Sequence, residues 1–325
     1  DWVRDIAFSS DASQVATASD DGFTAWLWDV TGEKAQVIRE FQRDNLDFVR
    51  SVALSPDGRW LAAGSDEKTV TVWDLSADSE TAPLRFAHEG AVNTVAFSPK
   101  EQLLASGSAD ATVRLWDLTT GKESQQFPLN DTVSSVVFST DGQQLAAADE
   151  AAYFRVWDLA TGDELLANRA DYLVRDIALH PGKHTLAIAN DRYVTLWDVA
   201  NNKKIQDLAH DGEVRSVAYS PDGKLIASTS DDGTTRLWDA DSGAELARLY
   251  HAANSLSVGF SPQGDRLAVA DGNTAHLWDM NHIPLVQTDQ LVNEVCSHLT
   301  RNLNENEWQS DFGDEPYRRL CPNLP

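Results

Sequence analysis

Two sets of side chains in this chain could do chemistry. His88, Ser106, Asp110 and Trp116 recur in the same order as His210, Ser228, Asp232 and Trp238. Ser, His and Asp are the ingredients of nucleophilic catalysis, in which a hydroxyl attacks and a carboxylate-oriented imidazole takes its proton. The same groups have a structural use. A buried Trp Nε1–H needs an acceptor, and a Ser–His–Asp chain supplies and orients one. Neither set is accompanied by a nucleophile elbow or an oxyanion-hole signature, so the structural use is the reading adopted. Metal ligation has weaker grounds. His180, His184, His276 and His282 are scattered without the spacing of a zinc site. Asp20-Asp21-Gly22 and Asp231-Asp232-Gly233 are short turns, not a twelve-residue calcium loop. No glycine-rich loop cradles phosphate. The expectation is a non-enzyme with no metal and no cofactor.

The elements that must position these residues repeat along the chain. Residues 103–117 read LLASGSADATVRLWD: a strand of small and apolar residues, a turn at Ala109-Asp110-Ala111, and a β-branched and aromatic strand. Trp-Asp pairs stand at Trp28, Trp73, Trp116, Trp157, Trp197, Trp238 and Trp278, spaced 45, 43, 41, 40, 41 and 40 residues apart. Each repeat opens with an apolar strand such as Val49–Leu54, buried on both faces, and turns at Ser-Pro-Asp-Gly or a relative of it. Departures occur at Ser9-Ser10-Asp11, Ser139-Thr140-Asp141-Gly142 and His180-Pro181-Gly182. Seven copies at this period fit the four-stranded blades of a propeller.

On these residues the chain resembles the WD-repeat (WD40) β-propeller family over residues 2–279. The resemblance implies an all-β fold, a seven-bladed propeller over 1–288, followed by a short helical C-terminal tail over 289–325 packed on it. It also implies that the two His-Ser-Asp-Trp sets are the family's hydrogen-bonded network. His251 stands at the equivalent place of the last repeat, but Gly272 replaces the turn Asp, so the network there should be absent or rearranged. Repeats one, two, four and five lack the His.

Topology brings the start of each first strand and the second-to-third turn to one face, at the mouth of the central channel. Just after the strand starts lie Arg4, Arg50, Asn93, Ser134, Arg175, Arg215 and Leu256, and just before them Trp2 and Phe48. The turns add Asp20, Asp66 and Asp231. Arg beside large aromatics is the composition of a protein-binding hot spot. Arg and Asp neutralising one another around the rim is the plainer alternative. The family commonly binds peptides or protein loops on this face.

Composition narrows the partners. A net charge of −25 argues against nucleic acid or an anionic membrane surface, since both need clustered Lys and Arg. No apolar run is long enough to span a bilayer. The two cysteines, Cys296 and Cys321, both lie in the tail, so the repeats are no disulfide framework and a cytoplasmic setting is the default. A partner that is a protein or peptide is therefore expected.

Closure of the ring is a separate problem, because the chain begins at a first strand. Ile283 to Gln287 is expected to form the outer strand of blade seven, with Pro284 tolerated at an edge. Blades one and seven would then meet through side chains only. Leu291, Val295 and Leu299 mark an amphipathic helix beyond it, expected to cover that seam. The tail, with Cys296, Leu299-Thr300-Arg301-Asn302-Leu303, Trp308, Pro316-Tyr317-Arg318 and Cys321-Pro322, resembles one that follows WD arrays in large bacterial signalling proteins carrying STAND-type NTPase or other effector modules. That resemblance implies an interaction or sensing module in a bacterial signalling or defence protein. The alternatives are structural or autoinhibitory packing against its own upstream effector domain, or an enzyme with its site at the channel mouth.

Overall fold

The computed structural model describes residues 2–19, 24–32, 34–42, 48–77, 81–100, 102–251, 255–283 and 285. Among them are seven antiparallel sheets, six of four strands and one of three. Every sheet is a meander in sequence order. The inner strands are Val3–Phe8, Val49–Leu54, Val92–Phe97, Val133–Phe138, Val174–Leu179, Val214–Tyr219 and Ser255–Phe260. Each lies beside the next, and the seventh lies beside the first. The fold is a closed seven-bladed β-propeller.

Blade three shows how sequence makes a blade. The inner strand Val92–Phe97 pairs with Leu103–Ser108, which pairs with Thr112–Asp117, which pairs with the outer strand Lys122–Pro128. Arg114 and Asp117 apart, the two middle strands carry apolar or small side chains, and most of their residues are buried. The outer strand is exposed except at Phe127. It forms the edge of the sheet, and its one buried residue, Phe127, packs on Trp157 of the neighbouring blade. Ala111, with φ +62°, takes the left-handed position of the tight turn before the third strand.

The core is a set of layers between blades. Phe41 of the first outer strand lies on Trp73 of blade two, at 5.2 Å between ring centroids. Phe86 stacks on Trp116 at 4.8 Å and Phe127 meets Trp157 at 4.9 Å. Each indole is thus sealed by the preceding blade. At the opposite ends, the turns are fixed by their own side chains. Ser55 donates to Asp57, and Gly58 closes the turn at φ +69°. In blade five His180 replaces the Ser, and its Nδ1 accepts from the amides of Gly182 and Lys183, both at 2.9 Å.

Blade seven has three described strands, Ser255–Phe260, Arg266–Asp271 and Thr274–Asp279, followed by a single 3-10 turn at Met280–His282. Ile283 is buried and not in a strand. The remainder of the expected outer strand, apart from Leu285, and the whole of the expected helical tail lie outside the described residues. The expectation that blades one and seven meet only through side chains is corrected. The Val3 amide donates to the Gly272 carbonyl at 2.7 Å, a backbone bond across the seam. The first amide of an inner strand reaches back to the turn of the preceding blade, as Val214 does to Asp191 at 2.5 Å. Side chains add Arg266 to the Val30 carbonyl at 2.8 Å and Gln263 to the Ser10 carbonyl at 3.1 Å.

Candidate protein-binding face

All seven inner strands share a feature invisible in the repeat pattern. Each has a register shift just after its first residue: Val3/Asp5, Val49/Ser51, Val133/Ser135, Val174/Asp176, Val214/Ser216 and Ser255/Ser257, and in blade three opposite Gly107/Ser108. The skipped residue is Arg4, Arg50, Asn93, Ser134, Arg175, Arg215 or Leu256. A β-bulge releases one residue from the ladder and re-aims its side chain. The rim positions are therefore bulge positions, which explains why side chains unsuited to a doubly buried strand are accommodated there.

Four of these seven are Arg, and carboxylates hold Arg50, Arg175 and Arg215. Arg50 bonds Asp66 in the turn of its own blade. Arg215 donates to Asp231 from Nε at 2.9 Å and from Nη2 at 2.5 Å, and also lies 3.2 Å from Glu213. Arg175 of blade five reaches Glu213 of blade six at 2.6 Å. Blades five and six thus share one network of two guanidinium groups and two carboxylates. The Asp231 carboxylate holds the Arg215 guanidinium above its ordinary value. Arg4 occupies the same bulge position in blade one and is exposed. Asp20 lies outside the described residues.

Aromatic side chains complete the face. Trp2 and Phe48 precede the first two inner strands and are 43% and 46% exposed. Tyr172 precedes the fifth inner strand and is 50% exposed, and Tyr250 ends the sixth outer strand at 73%. Tyr250 pairs with Thr234 at the turn end of the third strand, which places it on this face. Sequence reasoning missed Tyr172, Tyr250 and the pairing role of Glu213. Tyr250 had a readable signal: Leu246 and Leu249 face inward, so Tyr250 faces out.

Beneath the face sit the His-Ser-Asp-Trp sets. Trp116 Nε1 donates to Ser106 Oγ at 2.7 Å, His88 Nε2 is 2.7 Å from the same hydroxyl, and His88 Nδ1 is 2.9 Å from Asp110. In blade six the corresponding distances are 2.8, 2.7 and 3.1 Å. Both serines are inaccessible. Each hydroxyl accepts from the indole and donates to the imidazole, so both of its neighbours are already engaged. Burial depresses both imidazoles, His210 to about 4, against the pull of the Asp beside each. Burial works to raise Asp110, but hydrogen bonds from Thr112, the Glu89 amide and His88 outweigh it and hold the carboxyl at about 2. Arg236 adds a further member in blade six, reaching Asp232 at 3.1 Å, Asp211 at 2.6 Å and Glu245 at 3.3 Å.

Blade seven is wired differently. Val269 stands where the Ser would be, and Trp278 Nε1 is buried without a partner among the described residues. His251 Nε2 turns instead to Thr235 of blade six, at 2.7 Å. Among the described residues, no group of three or more His, Cys, Asp or Glu could hold a metal ion. Among the same residues no helix is long and apolar enough to cross a membrane.

The WD domain, G-beta repeat family model matches residues 1–29, 36–74, 81–117, 121–158 and 202–239. These segments cover more than half of the chain. The chain belongs to the WD-repeat family. Its matched segments skip the repeats that end at Trp197 and Trp278. In the first, Ile188 takes the place of the network Ser and Trp197 Nε1 bonds Asn202 at 3.2 Å. Curated relatives agree. The chain is 28% identical over 237 residues to the human serine-threonine kinase receptor-associated protein, covering 72% of this chain and 65% of that one. It is 37% identical over 89 residues to an Arabidopsis thaliana guanine nucleotide-binding protein subunit beta, covering 26% of this chain and 23% of the other. It is 34% identical over 92 residues to nuclear distribution protein nudF of Emericella nidulans, covering 28% and 20%. The chain thus spans a little under two thirds of the human relative's length. WD-repeat propellers are typically protein-interaction scaffolds.

Proposed function

We propose that this propeller is a non-catalytic interaction or sensing module that binds a protein or peptide across the mouth of its channel. One observation carries the reading. Among the described residues, the four aromatic side chains that are more than two-fifths exposed all stand on this one face. Exposed aromatics beside Arg are the anchors that dominate binding energy at protein interfaces. The alternative of simple charge neutralisation at the rim accounts for the ion pairs but not for the exposed rings.

A selection from a random peptide library on the full chain tests this. Selected peptides should bind Phe48→Ala plus Tyr172→Ala, and Arg50→Glu plus Arg215→Glu, at least tenfold more weakly than the parent. Affinity should be unchanged by Lys183→Ala on the opposite face. Peptides that bind all three variants alike would refute the assignment. The module's place at the C-terminal end of a larger bacterial signalling or defence protein is supported by the tail's residues alone. A cytoplasmic location is supported by repeats that contain no cysteine.

A further inference from the structure

Two acids have no part in the binding face. Asp5 and Asp176 each follow the bulged Arg of an inner strand. The pentapeptide Val-Arg-Asp-Ile-Ala occurs at both places, and in both the next blade carries Val-Arg-Ser-Val-Ala, at 49–53 and 214–218. Asp176 accepts four hydrogen bonds. They come from Ser135 Oγ of blade four at 2.8 Å, its own strand's Ile177 amide at 2.8 Å, and Ser216 Oγ and the Val217 amide of blade six at 2.8 and 3.0 Å. Asp5 does the same across the seam. It accepts from Ser257 Oγ of blade seven at 2.9 Å, the Ile6 amide at 2.9 Å, and the Val52 amide of blade two at 3.0 Å. The groups that act on each carboxylate are neutral, backbone amides and serine hydroxyls.

We propose that Asp5 and Asp176 are the latches of the ring, each fastening three consecutive blades at the channel wall, and that Asp5 closes the circle between last blade and first. Two other inner strands carry a hydroxyl tie at the same place. Ser51 accepts from the Val95 amide at 3.2 Å and Ser216 from the Val258 amide at 3.3 Å. A hydroxyl so placed ties two blades, whereas a carboxylate with two oxygens and four acceptor sites ties three. Burial pushes both carboxyls above their ordinary value, against the pull of the amides and serine hydroxyls that donate to them. The doubling of the Asp-then-Ser unit places the second latch at blades four to six, far round the ring from the seam.

Hydrogen exchange on the full chain, read by mass spectrometry, tests the proposal. Asp5→Ala should speed exchange tenfold or more in the inner strands of blades seven, one and two, and change blades four to six much less. Asp176→Ala should give the mirror image. If Asp5→Ala does not fold, Ser257→Ala removes only the blade-seven donor, and faster exchange should then be confined to Val3–Phe8 and Ser255–Phe260. Exchange that rises evenly in all seven inner strands, or in none, overturns the proposal.

Discussion

Blades six and seven present the same indole in different company. In blade six, Trp238 is 5% exposed, and its Nε1–H is received by a serine that is itself held by His210 and Asp232. In blade seven, Trp278 is partly exposed, its Nε1 has no partner among the described residues, and the His that should support it bonds the neighbouring blade. Both blades nevertheless keep the same strand register, with Ile226 opposite Trp238 and Leu267 opposite Trp278. The ladder and the apolar pattern are therefore enough to form a blade. The polar network adds stability and rigidity to a blade that already exists.

The largest expected contrast comes from removing the rings. Trp238→Ala should cost about 3–5 kcal/mol. Trp278→Ala should cost less, about 1–3 kcal/mol, because less area is buried and no hydrogen bond is lost. Chemical unfolding of the two variants beside the parent measures this. Equal losses would mean that the network contributes little beyond packing.

Acid should act on the network histidines of blades three and six, and burial depresses His251 of blade seven as well. The folded state holds His210 at about 4 and His88 below its ordinary value, because burial disfavours the imidazolium. An unfolded His titrates near 6.5, so the unfolded chain binds more protons below that pH. The stability carried by these histidines is therefore complete above 6.5 and is lost as pH falls toward 4. For His210 the loss between pH 7 and pH 4 is on the order of 3 kcal/mol. His88→Gln plus His210→Gln should flatten the pH dependence of the unfolding midpoint over that window. A midpoint that falls as steeply in the double variant would place the acid sensitivity elsewhere.

Exchanging single network positions is a finer instrument. Ser228→Ala leaves Trp238 Nε1 and His210 Nε2 buried without their shared partner, and should cost about 1–3 kcal/mol. The reverse change is Val269→Thr, which keeps the volume of the side chain. Thr17 already plays this role in blade one, accepting from Trp28 Nε1 at 2.9 Å. The variant should be stabilised by no more than about 1 kcal/mol. A clear loss in thermal unfolding would show that Trp278 is satisfied by something other than a threonine could supply.

These contrasts also show what was legible in the sequence. The period of the Trp-Asp pairs gave blade number and strand order, because a repeat that buries both faces must conserve its spacing to stay in register. The departure of blade seven was visible as Gly272 in place of the turn Asp. The pairing of Arg175 with Glu213, 38 residues away, was not, because it depends on how one blade is staggered against the next. The bulges were hidden for a related reason. An inner strand apolar or small on both faces shows no break in alternation when one residue is skipped. Tyr172 sits beside the half-buried Leu173 in a connection with no period, so nothing in its neighbours marked it as the exposed one.

The smallest expected effect concerns the rim. Arg215 bonds two carboxylates in a network shared by blades five and six, whereas Arg50 is about half exposed and bonds Asp66. Exposed pairs contribute about 0–1 kcal/mol, and salt screens them. Arg50→Ala should therefore leave the unfolding midpoint nearly unchanged at any ionic strength. Arg215→Ala should lower it slightly, by up to about 1 kcal/mol, because Asp231 and Glu213 then face each other without a cation between them. That second effect should shrink at high salt, where the repulsion is screened. A loss at Arg50 as large as at Arg215, and insensitive to salt, would mean that the rim cations stabilise the blades by packing. In that case the stability of the mouth would not separate blade two from the coupled pair opposite.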